Sequence, residues 1–325
     1  MQAIVQERYG RPSRVLSIRE VDPPTIGDDG VLVRVVASSL NAMDWHLVMG
    51  RPIAARATTG LARPKQAIPG TDLAGIVEAV GPAVTELAVG DHVFGGHDGA
   101  FAELVAGRTR NFVSKPASLD FAAAAALPIA GVTALQAVRD HGQLVAGESV
   151  LILGAGGGVG SYAVQVAVAD GGRATAVTGP ATLDLVAGLG AERVVNRVEQ
   201  DPLAGTERFD LVIDAGGFAS NGQLTRLLTP RGRAVIVGAG SATSAGLIVH
   251  LLGARVRTRL GSRPIKNFIA RLTREHLSAL AALVEAGHLT PAIGVAVRLD
   301  EVPAQLDLLV DGRARGKTVV EISPA

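Results

Sequence analysis

The hydrophobic positions of the chain form two different patterns. Up to about residue 120 they make short runs of strand length, such as VLVRVVASSLN, AGIVEAVG and FAELVAG, which are separated by turn sequences such as DPP, GDDG and GGHDG. Short apolar runs bounded by Gly, Pro and Asp are typical of β-strands joined by turns. This part of the sequence therefore predicts a mostly β module with little helix.

From residue 121 onwards, short apolar runs alternate with longer Ala-rich segments of helical character. The strand-like runs are SVLIL, ATAV, RVVN, FDLVID, RAVIV and ARVRTRL. Strands that alternate with helices indicate a doubly wound parallel sheet, here with about six strands. A long helical pattern after Pro264, NFIARLTREHLSALAALVEAG, leads to two closing strand patterns, GVAVRLDEV and GKTVVEI, which we expect to rejoin the β module.

The longest apolar run is FAAAAALPIAGVTALQAV, at 121–138. It contains Pro128 and several polar or small residues, so it predicts two buried helices split at LPIAG rather than a transmembrane span. The first residues, MQAIVQERYG, indicate a strand and a turn without the apolar core of a signal peptide. A cytoplasmic location is therefore expected.

Composition narrows the class of partner. A chain of 325 residues, 48% of them apolar, is long enough for two domains with sizeable cores. The 31 basic and 30 acidic side chains leave a net charge of +1, which gives no electrostatic surface for nucleic acid or anionic lipid. The absence of cysteine excludes disulfides, thiolate nucleophiles and every cysteine-containing zinc site. These properties favour a protein that binds a small molecule.

A glycine-rich turn in LILGAGGGVGSYAVQVAV is the strongest single motif. A strand is predicted to end at Leu153 and a helix to begin near Val159. Glycine lets the backbone approach a pyrophosphate at the helix N-terminus, so dinucleotide binding is predicted, with an ordinary strand-to-helix connection as the alternative. The aligned pattern is Ala155-x-Gly157-x-x-Gly160. The candidate cofactor-binding residues here are Ala155, Gly156, Gly157, Gly158, Val159 and Gly160.

The turn after the second strand bears on which dinucleotide is bound. NAD enzymes place a carboxylate there on the ribose 2′-hydroxyl, whereas this chain has TGPAT after ATAV. NADPH is therefore allowed, with Thr178 and the backbone of Gly179 as candidate donors to its 2′-phosphate. The cation expected for that phosphate is missing from this turn, which leaves NADH open.

Several motifs along the whole chain resemble one family. They are NAMD, PGTDLAGIVEAVG, VGDHVFG, GAFAELV, LPIAGVTALQAV, GAGGGVG, VIDAGG and ARGKTVV. With them the chain resembles a zinc-independent medium-chain dehydrogenase/reductase of the quinone oxidoreductase, zeta-crystallin-like type. The resemblance implies an α/β protein with a GroES-like, mostly β catalytic domain (1–123 and 264–325) and a Rossmann domain (124–263), with cofactor and substrate in a cleft between them.

The resemblance also implies a site without zinc. Zinc-dependent members have a cysteine where this chain has Asn41 and a Gly-His-Glu motif where it has Gly70-Thr71-Asp72. We therefore expect no metal, and we expect hydrogen-bond donors and a proton source to stabilise the charge that develops on the substrate oxygen. Asn41 matches an asparagine that the family keeps near the nicotinamide, and it is a candidate catalytic residue.

Two neighbours of Asn41 are further catalytic candidates. Asp44 matches the aspartate of the family's N-x-x-D motif, and helix capping is at least as good an interpretation. His46 stands where zinc alcohol dehydrogenases have a histidine that touches the cofactor ribose and relays a proton. The alternative for His46 is a packed histidine without a chemical role. Trp45 is interpreted as packing, with the lining of an apolar substrate pocket as its alternative.

Other cofactor contacts are implied by position in the family pattern. The candidates are Thr133, Ala215 and Gly216 in DAGG, Gly238 and Ala239 in VGAG, and Arg315 and Lys317 in ARGKTVV. Thr133 has an ordinary helix residue as its alternative, and the two basic residues have a solvated charge pair as theirs. The loops ATTGLARPKQAIPG and GGHDGAFAE are expected to border the pocket.

The function implied is hydride transfer from NADPH, or from NADH, to a quinone or an α,β-unsaturated carbonyl compound without zinc. The alternatives are an NAD(P)-dependent alcohol or aldehyde dehydrogenase and a cofactor-loaded binding protein without activity. A homodimer that pairs through the strand ARVRTRL is also expected, although its arginines could equally protect a sheet edge.

Overall fold

The computed structural model describes residues 1–237 and 264–325. The chain falls into two compact units, residues 1–129 with 272–325 (the first unit) and residues 130–271 (the second unit). The limits inferred from the sequence lie a few residues earlier at both crossings. Gly238, Ala239 and the segment ARVRTRL lie outside the described residues.

The first 129 residues are mostly β, as the turn-rich pattern predicts. The strands are β1 (Gln2–Gln6), β2 (Leu16–Glu20), β3 (Gly30–Ser39), β4 (Asp72–Val80), β5 (His92–Gly96), β6 (Leu104–Arg108) and β7 (Phe112–Ser114). The helices are short: α1 (Pro12–Val15), α2 (Ala42–Met49), α3 (Arg56–Thr59) and α4 (Phe121–Ala125).

Strands and helices alternate in the second unit. The helices are α5 (Pro128–Leu135), α6 (Gly158–Ala169), α7 (Leu183–Ala187) and α8 (Asn221–Leu227). The strands are β8 (Ser149–Leu153), β9 (Arg173–Thr178), β10 (Arg193–Asn196), β11 (Phe209–Asp214), β12 (Leu228–Ile236) and β13 (Ile265–Asn267). The predicted split of the long apolar run is confirmed, because Pro128 opens α5 just after α4 ends, and proline suits the first position of a helix.

The last residues return to the first unit. They form α9 (Arg274–Glu285), β14 (Ile293–Arg298), α10 (Val302–Val310) and β15 (Lys317–Glu321). The seven-stranded sheet has the order β14-β15-β3-β4-β5-β7, with β6 also pairing with β3, while β1 and β2 form a separate antiparallel pair. Strand β15 pairs with β3 directly before α2. The closing strands therefore rejoin the β module as predicted.

The sheet of the second unit is parallel throughout, with the order β10-β9-β8-β11-β12-β13. The chain starts in the middle at β8, moves outward to β10, and then returns to the other side of β8 at β11. Open α/β sheets bind ligands at the carboxyl ends of the strands at such a reversal. The predicted doubly wound parallel sheet is confirmed: five of the six predicted strands are β8 to β12, while the sixth, ARVRTRL, lies outside the described residues and β13 was not predicted.

One predicted helix is too long. The pattern NFIARLTREHLSALAALVEAG suggests a helix that starts near residue 267, but α9 begins only at Arg274. The Thr273 hydroxyl accepts a hydrogen bond from the His276 N–H at 3.3 Å and caps the helix there. Residues Ile265–Asn267, where the predicted helix would begin, pair with β12 as a parallel strand. No helix among the described residues has the length and apolar content needed to cross a membrane.

Candidate active site

Helix α2 follows the end of β3 and carries the predicted catalytic residues. Its first turn is closed by the Asp44 carboxylate, whose Oδ2 accepts from the backbone N–H of Asn41 at 2.7 Å. Gly50 ends the helix with a φ of +60°, a conformation that glycine adopts without strain. Trp45 and Val48 pack into the hydrophobic core of the first unit. Trp45 is thus a packing residue, as interpreted from the sequence.

The Asn41 side chain lies in a buried ion-pair cluster, made of Asn41, Asp72 and Lys317 (the Asn41 cluster). Asn41 Nδ2 donates to Asp72 Oδ2 at 2.8 Å, and Lys317 Nζ donates to Asn41 Oδ1 at 2.9 Å. Lys317 Nζ lies 3.4 Å from Asp72 Oδ2, and the two side chains are 3% and 0% exposed. The charges flanking the amide fix its orientation, because the oxygen must face the ammonium and the nitrogen the carboxylate.

Neighbouring groups complete the hydrogen bonding of this cluster. Ser39 Oγ donates to Asp72 Oδ2 at 2.9 Å, and the backbone N–H of Ile129 donates to Asp72 Oδ1 at 2.9 Å. Lys317 Nζ also donates to the carbonyl of Leu40 at 3.0 Å. Burial lowers the pKa of the Lys317 ammonium, and the nearby carboxylates of Asp72 and Asp44 oppose that effect. All three ammonium hydrogens therefore have acceptors, which supports the charged form.

The residues at the family's zinc position do not fit a zinc ion. The amide of Asn41 is held between a carboxylate and an ammonium, and Thr71 offers a hydroxyl where zinc-dependent members have histidine. Catalytic zinc in proteins is held by Cys, His and carboxylate ligands, and a lysine ammonium so close would repel the ion. Within 1–237 and 264–325 no group of three or more His, Asp or Glu side chains could hold a metal ion.

Asp44 is the second buried carboxyl beside the cluster. It is 1% exposed, and while Oδ2 is bound to Asn41, Oδ1 has no hydrogen-bond partner among the described residues. Desolvation raises the pKa of Asp44 to about 7, with a further rise from the charges of Asp72 and Asp98. The Asn41 N–H and the Lys317 charge act in the opposite direction. Burial therefore disfavours the charged form of the Asp44 carboxyl.

A cavity of about 250 Å³ lies against Asp44 within the first unit. From α2 it is lined by Asp44 and Leu47, which lie one helical turn apart. The two loops expected from the sequence to border a pocket both contribute. The remaining lining residues are Gln6, Tyr9, Thr58, Thr59, Pro64, Lys65, Gln66, Ile68, Pro69, Gly70, Thr71 and Asp98.

His46 lies on α2 but does not line this cavity. Its ring stacks on Trp45, with 3.6 Å between ring centroids, and Nδ1 lies 3.1 Å from the carbonyl oxygen of Arg51. Because a carbonyl only accepts, Nδ1 carries the proton, and the tautomer leaves Nε2 as an acceptor. Burial lowers the pKa of His46, with the Arg51 carbonyl partly opposing. At neutral pH the ring is therefore neutral.

The glycine-rich turn joins β8 to α6 in the second unit and has no room for side chains at two positions. A Cβ at Gly156 would lie 2.1 Å from the Thr182 hydroxyl and 2.4 Å from the Thr178 hydroxyl, which bond to each other at 2.6 Å. A Cβ at Gly160 would lie 2.1 Å from the carbonyl oxygen of Gly154. These contacts explain two of the glycines by close packing of turn, strand and helix.

The start of α6 is open to a ligand. Gly157 precedes the helix and no side chain caps it, so the N–H groups of its first turn, at Gly158, Val159 and Gly160, have no capping side chain. Ala155 is fully buried, and its N–H donates to the carbonyl of Val177 at 2.9 Å. An uncapped helix N-terminus behind a glycine turn fits a dinucleotide pyrophosphate.

The structure adds a residue that the sequence analysis missed, Arg197. It directly follows β10, and its backbone N–H donates to the carbonyl of Thr178 at 2.9 Å. Its guanidinium Nε would lie 3.4 Å from a Cβ at Gly179, so this side chain covers the turn after β9. No carboxylate of the described residues pairs with it. The sequence could have pointed to Arg197, because neighbouring strands of a parallel sheet end side by side. An arginine directly after β10 must therefore lie near the turn after β9.

The other predicted cofactor residues lie at different places. Ala215 donates its N–H to the carbonyl of Leu153, beside the glycine turn. Asp214 accepts from the N–H groups of Gly216, Phe218 and Ala219 at 3.3, 3.0 and 2.9 Å, and so shapes the DAGG turn.

Three further candidate cofactor contacts lie at separate places in the structure. Thr133 is buried in α5, and Arg315 is exposed before β15. Lys317 faces the Asn41 cluster rather than solvent. The structure thus brings Lys317 to Asn41, an association that the sequence analysis did not predict, and it separates Lys317 from Arg315.

Comparisons with known proteins agree with this architecture. The alcohol dehydrogenase GroES-like domain family matches residues 27–117, and the zinc-binding dehydrogenase family matches residues 189–320. The chloroplastic quinone oxidoreductase QR1 of Triphysaria versicolor is 31% identical over 338 residues, covering 99% of this chain and 98% of the relative. The 2-methylene-furan-3-one reductase of Solanum lycopersicum is 30% identical over 338 residues, covering 100% and 80%. The structure of the quinone oxidoreductase from Coxiella burnetii matches with a TM-score of 0.85 at 29% identity, over 99% of both chains.

These matches extend over the whole chain, and they show that it belongs to the quinone oxidoreductase type of the medium-chain dehydrogenase/reductase family. It is an oxidoreductase with a GroES-like domain and a Rossmann-type parallel sheet, as the sequence predicts, and its family is NAD(P)-dependent.

Proposed function

We propose that this enzyme is a zinc-independent reductase that transfers a hydride from NADPH to a quinone or an α,β-unsaturated carbonyl compound. The observation that carries the proposal is the fixed amide of Asn41. It stands where zinc-dependent members have a metal ligand, and the Asn41 cluster engages one of its two amide hydrogens. The second hydrogen has no partner among the described residues and is available to a substrate oxygen.

The names of the relatives support the substrate class. One relative is a quinone oxidoreductase, and the other reduces a 2-methylene-furan-3-one, a ketone conjugated to a carbon–carbon double bond. When a hydride adds to a carbon conjugated to a carbonyl group in a quinone or in such a ketone, negative charge develops on the carbonyl oxygen. A preorganised donor near that oxygen stabilises the charge without a metal.

The second unit offers the features that hold a dinucleotide. The uncapped N-terminus of α6 and the crowded glycines suit the pyrophosphate, and NADPH, when bound, supplies the hydride. The Thr178 and Thr182 hydroxyls lie beside Gly156, and Arg197 covers the backbone of Gly179. Arg197 is the cation that the turn itself lacks, and it favours NADPH over NADH because a guanidinium binds phosphate strongly.

The chain's own residues divide the work between binding and charge stabilisation. Asn41 donates to the developing oxyanion, while Asp72 and Lys317 hold the amide in place. We therefore assign Lys317 a positioning role in the Asn41 cluster instead of the cofactor contact that the family pattern implied. For His46 the packed interpretation is favoured, since its neutral ring has its only N–H on the Arg51 carbonyl and has no proton to give at neutral pH.

Two measurements on one preparation test the proposal. Chelator-treated protein should show a larger thermal stabilisation by NADPH than by equal NADH, since a ligand stabilises in proportion to its affinity. The same protein should then oxidise NADPH in the presence of one-ring quinones or enones. Stabilisation without turnover on any acceptor would favour the non-catalytic alternative. Activity that depends on added zinc would contradict the proposal.

Two expectations from the sequence stay predictions. The strand ARVRTRL, inferred to join two subunits, lies outside the described residues, and light scattering on the purified protein would give the oligomeric state. The cytoplasmic location also stays a prediction, and the Triphysaria relative is named as chloroplastic.

A further inference from the structure

Phe218 is an exposed aromatic residue that the proposed reaction does not yet use. Its side chain is 65% exposed, and it is the only aromatic one among the strongly exposed large hydrophobic residues of 1–237 and 264–325. It lies between β11 and α8, at the edge of the parallel sheet where the strands have their carboxyl ends. Open α/β sheets bind their ligands at this edge, so the ring lies where a ligand is expected.

The turn that carries Phe218 is held by Asp214, the last residue of β11. The Asp214 side chain is fully buried and accepts from the N–H groups of Gly216, Phe218 and Ala219. Gly217 has a φ of +66°, a left-handed conformation that glycine adopts without strain. One side chain that engages three N–H groups fixes this turn, so the ring is attached to a defined backbone.

The Phe218 ring folds back onto the turns that follow the central strands β8 and β11. A Cβ at Gly216 would lie 2.2 Å from Cε2 of the ring, and a Cβ at Gly154 would lie 2.9 Å from the same atom. One edge of the ring therefore rests on the backbone of both glycines, while most of its surface faces solvent. Because Gly154 begins the glycine turn, the ring borders the proposed dinucleotide site.

The groups proposed to bind the 2′-phosphate lie on the other side of the glycine turn. The Thr178 and Thr182 hydroxyls border Gly156 there. Arg197 covers Gly179 in the turn after β9. In the sheet, β8 lies between β9 and β11, so these two outer strands are separated by two strand spacings, or roughly 10 Å. The glycine turn thus has a guanidinium on one side and an aromatic ring on the other.

The adenosine half of NADPH has groups that match both sides. Its 2′-phosphate and its adenine are attached to adjacent carbons of one ribose. With the pyrophosphate at the start of α6 and the 2′-phosphate at Arg197, the base can extend outward past β10 or back across the ends of β8 and β11. Phe218 favours the second course, because bases gain affinity by stacking on aromatic side chains.

We propose that the exposed face of Phe218 stacks on the adenine of NADPH and is a binding determinant for the adenosine half of the cofactor. The inference rests on the proposed function, since it takes NADPH as the hydride donor. It gives the second unit two determinants of different chemistry. Arg197 binds a phosphate that only NADPH has, whereas Phe218 contacts a base that NADPH and NADH share.

This difference predicts how the kinetics respond to loss of the ring. Phe218→Ala should weaken NADPH and NADH by the same factor, unlike a change at Arg197. The adenine is at the opposite end of the cofactor from the nicotinamide that carries the hydride. Phe218→Ala should therefore raise the KM for NADPH without lowering kcat, as expected for a contact made equally in the ground state and the transition state.

The first test measures dissociation constants by calorimetry for NADPH, NADH and 2′,5′-ADP, which is the adenosine half of NADPH without nicotinamide. Stacking of one base contributes about 5- to 100-fold in affinity, so Phe218→Ala should weaken all three ligands by a factor in that range. Phe218→Leu keeps an apolar side chain without an aromatic face and should lose nearly as much. Phe218→Tyr retains the face and should bind like the wild type.

Val145→Ala is the matched control, because Val145 is 62% exposed and precedes the amino end of β8, away from the glycine turn. It should leave the three dissociation constants unchanged. Both Phe218 and Val145 are exposed, so neither alanine variant should alter the unfolding midpoint of the ligand-free protein by more than a typical surface substitution does. Unchanged affinity in Phe218→Ala, or a Phe218→Leu protein that binds like the wild type, would overturn the inference.

A tryptophan at position 218 would report the contact without turnover. Trp45 is the only tryptophan of the chain, so Trp45→Phe combined with Phe218→Trp leaves a single indole, at the proposed adenine site. Binding of 2′,5′-ADP should quench its emission, because this ligand contains adenine and no nicotinamide. Quenching by nicotinamide mononucleotide and not by 2′,5′-ADP would assign the ring to the other half of the cofactor and overturn the inference.

The outcomes separate this inference from the proposed function. Wild-type protein that neither binds NADPH nor oxidises it with any quinone or enone would contradict both. Wild-type turnover, together with a Phe218→Ala protein whose affinities for 2′,5′-ADP and NADPH are unchanged, would contradict the inference alone.

Discussion

Lys317 and Asp72 are the residues on which the orientation of Asn41 depends. Replacing Lys317 with methionine would leave the Asp72 carboxylate buried without its cation, which typically costs about 3–5 kcal/mol of unfolding free energy. We expect Lys317→Met to lower the unfolding midpoint accordingly in a denaturant titration. Arg315→Met, two residues earlier and exposed, should change the free energy by less than about 0.5 kcal/mol.

The double variant separates charge from packing. If the penalty comes from the unpaired Asp72, then Asp72→Asn combined with Lys317→Met should recover part of the lost stability, because the lone buried carboxylate is gone. A double variant less stable than the sum of the two single losses would contradict this account of the Asn41 cluster.

Arg197 tests cofactor preference at the scale of one side chain. A charged hydrogen bond contributes about 1.5–3 kcal/mol, so Arg197→Ala should raise the KM or Kd for NADPH by about 10- to 100-fold and leave NADH nearly unaffected. Arg193→Ala is the control, because Arg193 begins the same strand and pairs with Glu207 at the opposite end of the sheet. An equal effect of Arg197→Ala on both cofactors would contradict the assignment of Arg197 as the residue that favours NADPH over NADH.

Single residues were predictable only where the motif is local. Asn41 and Asp44 lie in one short segment, and their resemblance to the family could be read directly. The cluster that holds Asn41 could not be predicted, since Asp72 and Lys317 lie 31 and 276 residues away along the chain. Arg197 was missed because a cation for the 2′-phosphate was expected only in the turn after β9, and not after β10, the neighbouring parallel strand.

At the scale of elements, the glycine turn and α6 form a unit that depends on close packing. Gly160→Ala places a Cβ 2.1 Å from the Gly154 carbonyl oxygen, so turn and helix must separate. The thermal stabilisation by NADPH should then be lost.

Gly222→Ala is the matched change in helix α8. A Cβ there meets only the Ser220 hydroxyl at 4.0 Å, and alanine favours helix by up to about 1 kcal/mol. This variant should keep the NADPH response and be slightly more stable. A Gly160→Ala protein that binds NADPH like the wild type would contradict the packing argument.

Strong periodic patterns predicted the elements well, and competing interactions decided the exceptions. Strands β8 to β12 of the second unit and the α4–α5 break follow from apolar runs and Pro128, whereas β13 was not predicted. The segment before α9 has helical periodicity, yet the Thr273 cap and pairing with β12 shorten that helix. Periodicity records which residues are apolar, whereas strand pairing depends on a partner distant in sequence.

At the scale of the whole molecule, each unit has its own part of the proposed chemistry. The first unit contains the oriented amide of Asn41 and the cavity, and the second contains the glycine turn and Arg197. The fold alone is shared by alcohol dehydrogenases and reductases, so it does not choose between them. The direction of hydride transfer and the nature of the substrate make that choice.

The most direct test of the central claim compares both directions on chelator-treated enzyme. NADPH oxidation is followed with one-ring quinones and α,β-unsaturated ketones, and NADP⁺ reduction with primary and secondary alcohols. A specificity constant kcat/KM at least about 100-fold higher for a quinone or enone than for any alcohol is predicted, equivalent to about 2.7 kcal/mol of transition-state stabilisation. Efficient alcohol-dependent NADP⁺ reduction with no quinone or enone turnover would contradict the account.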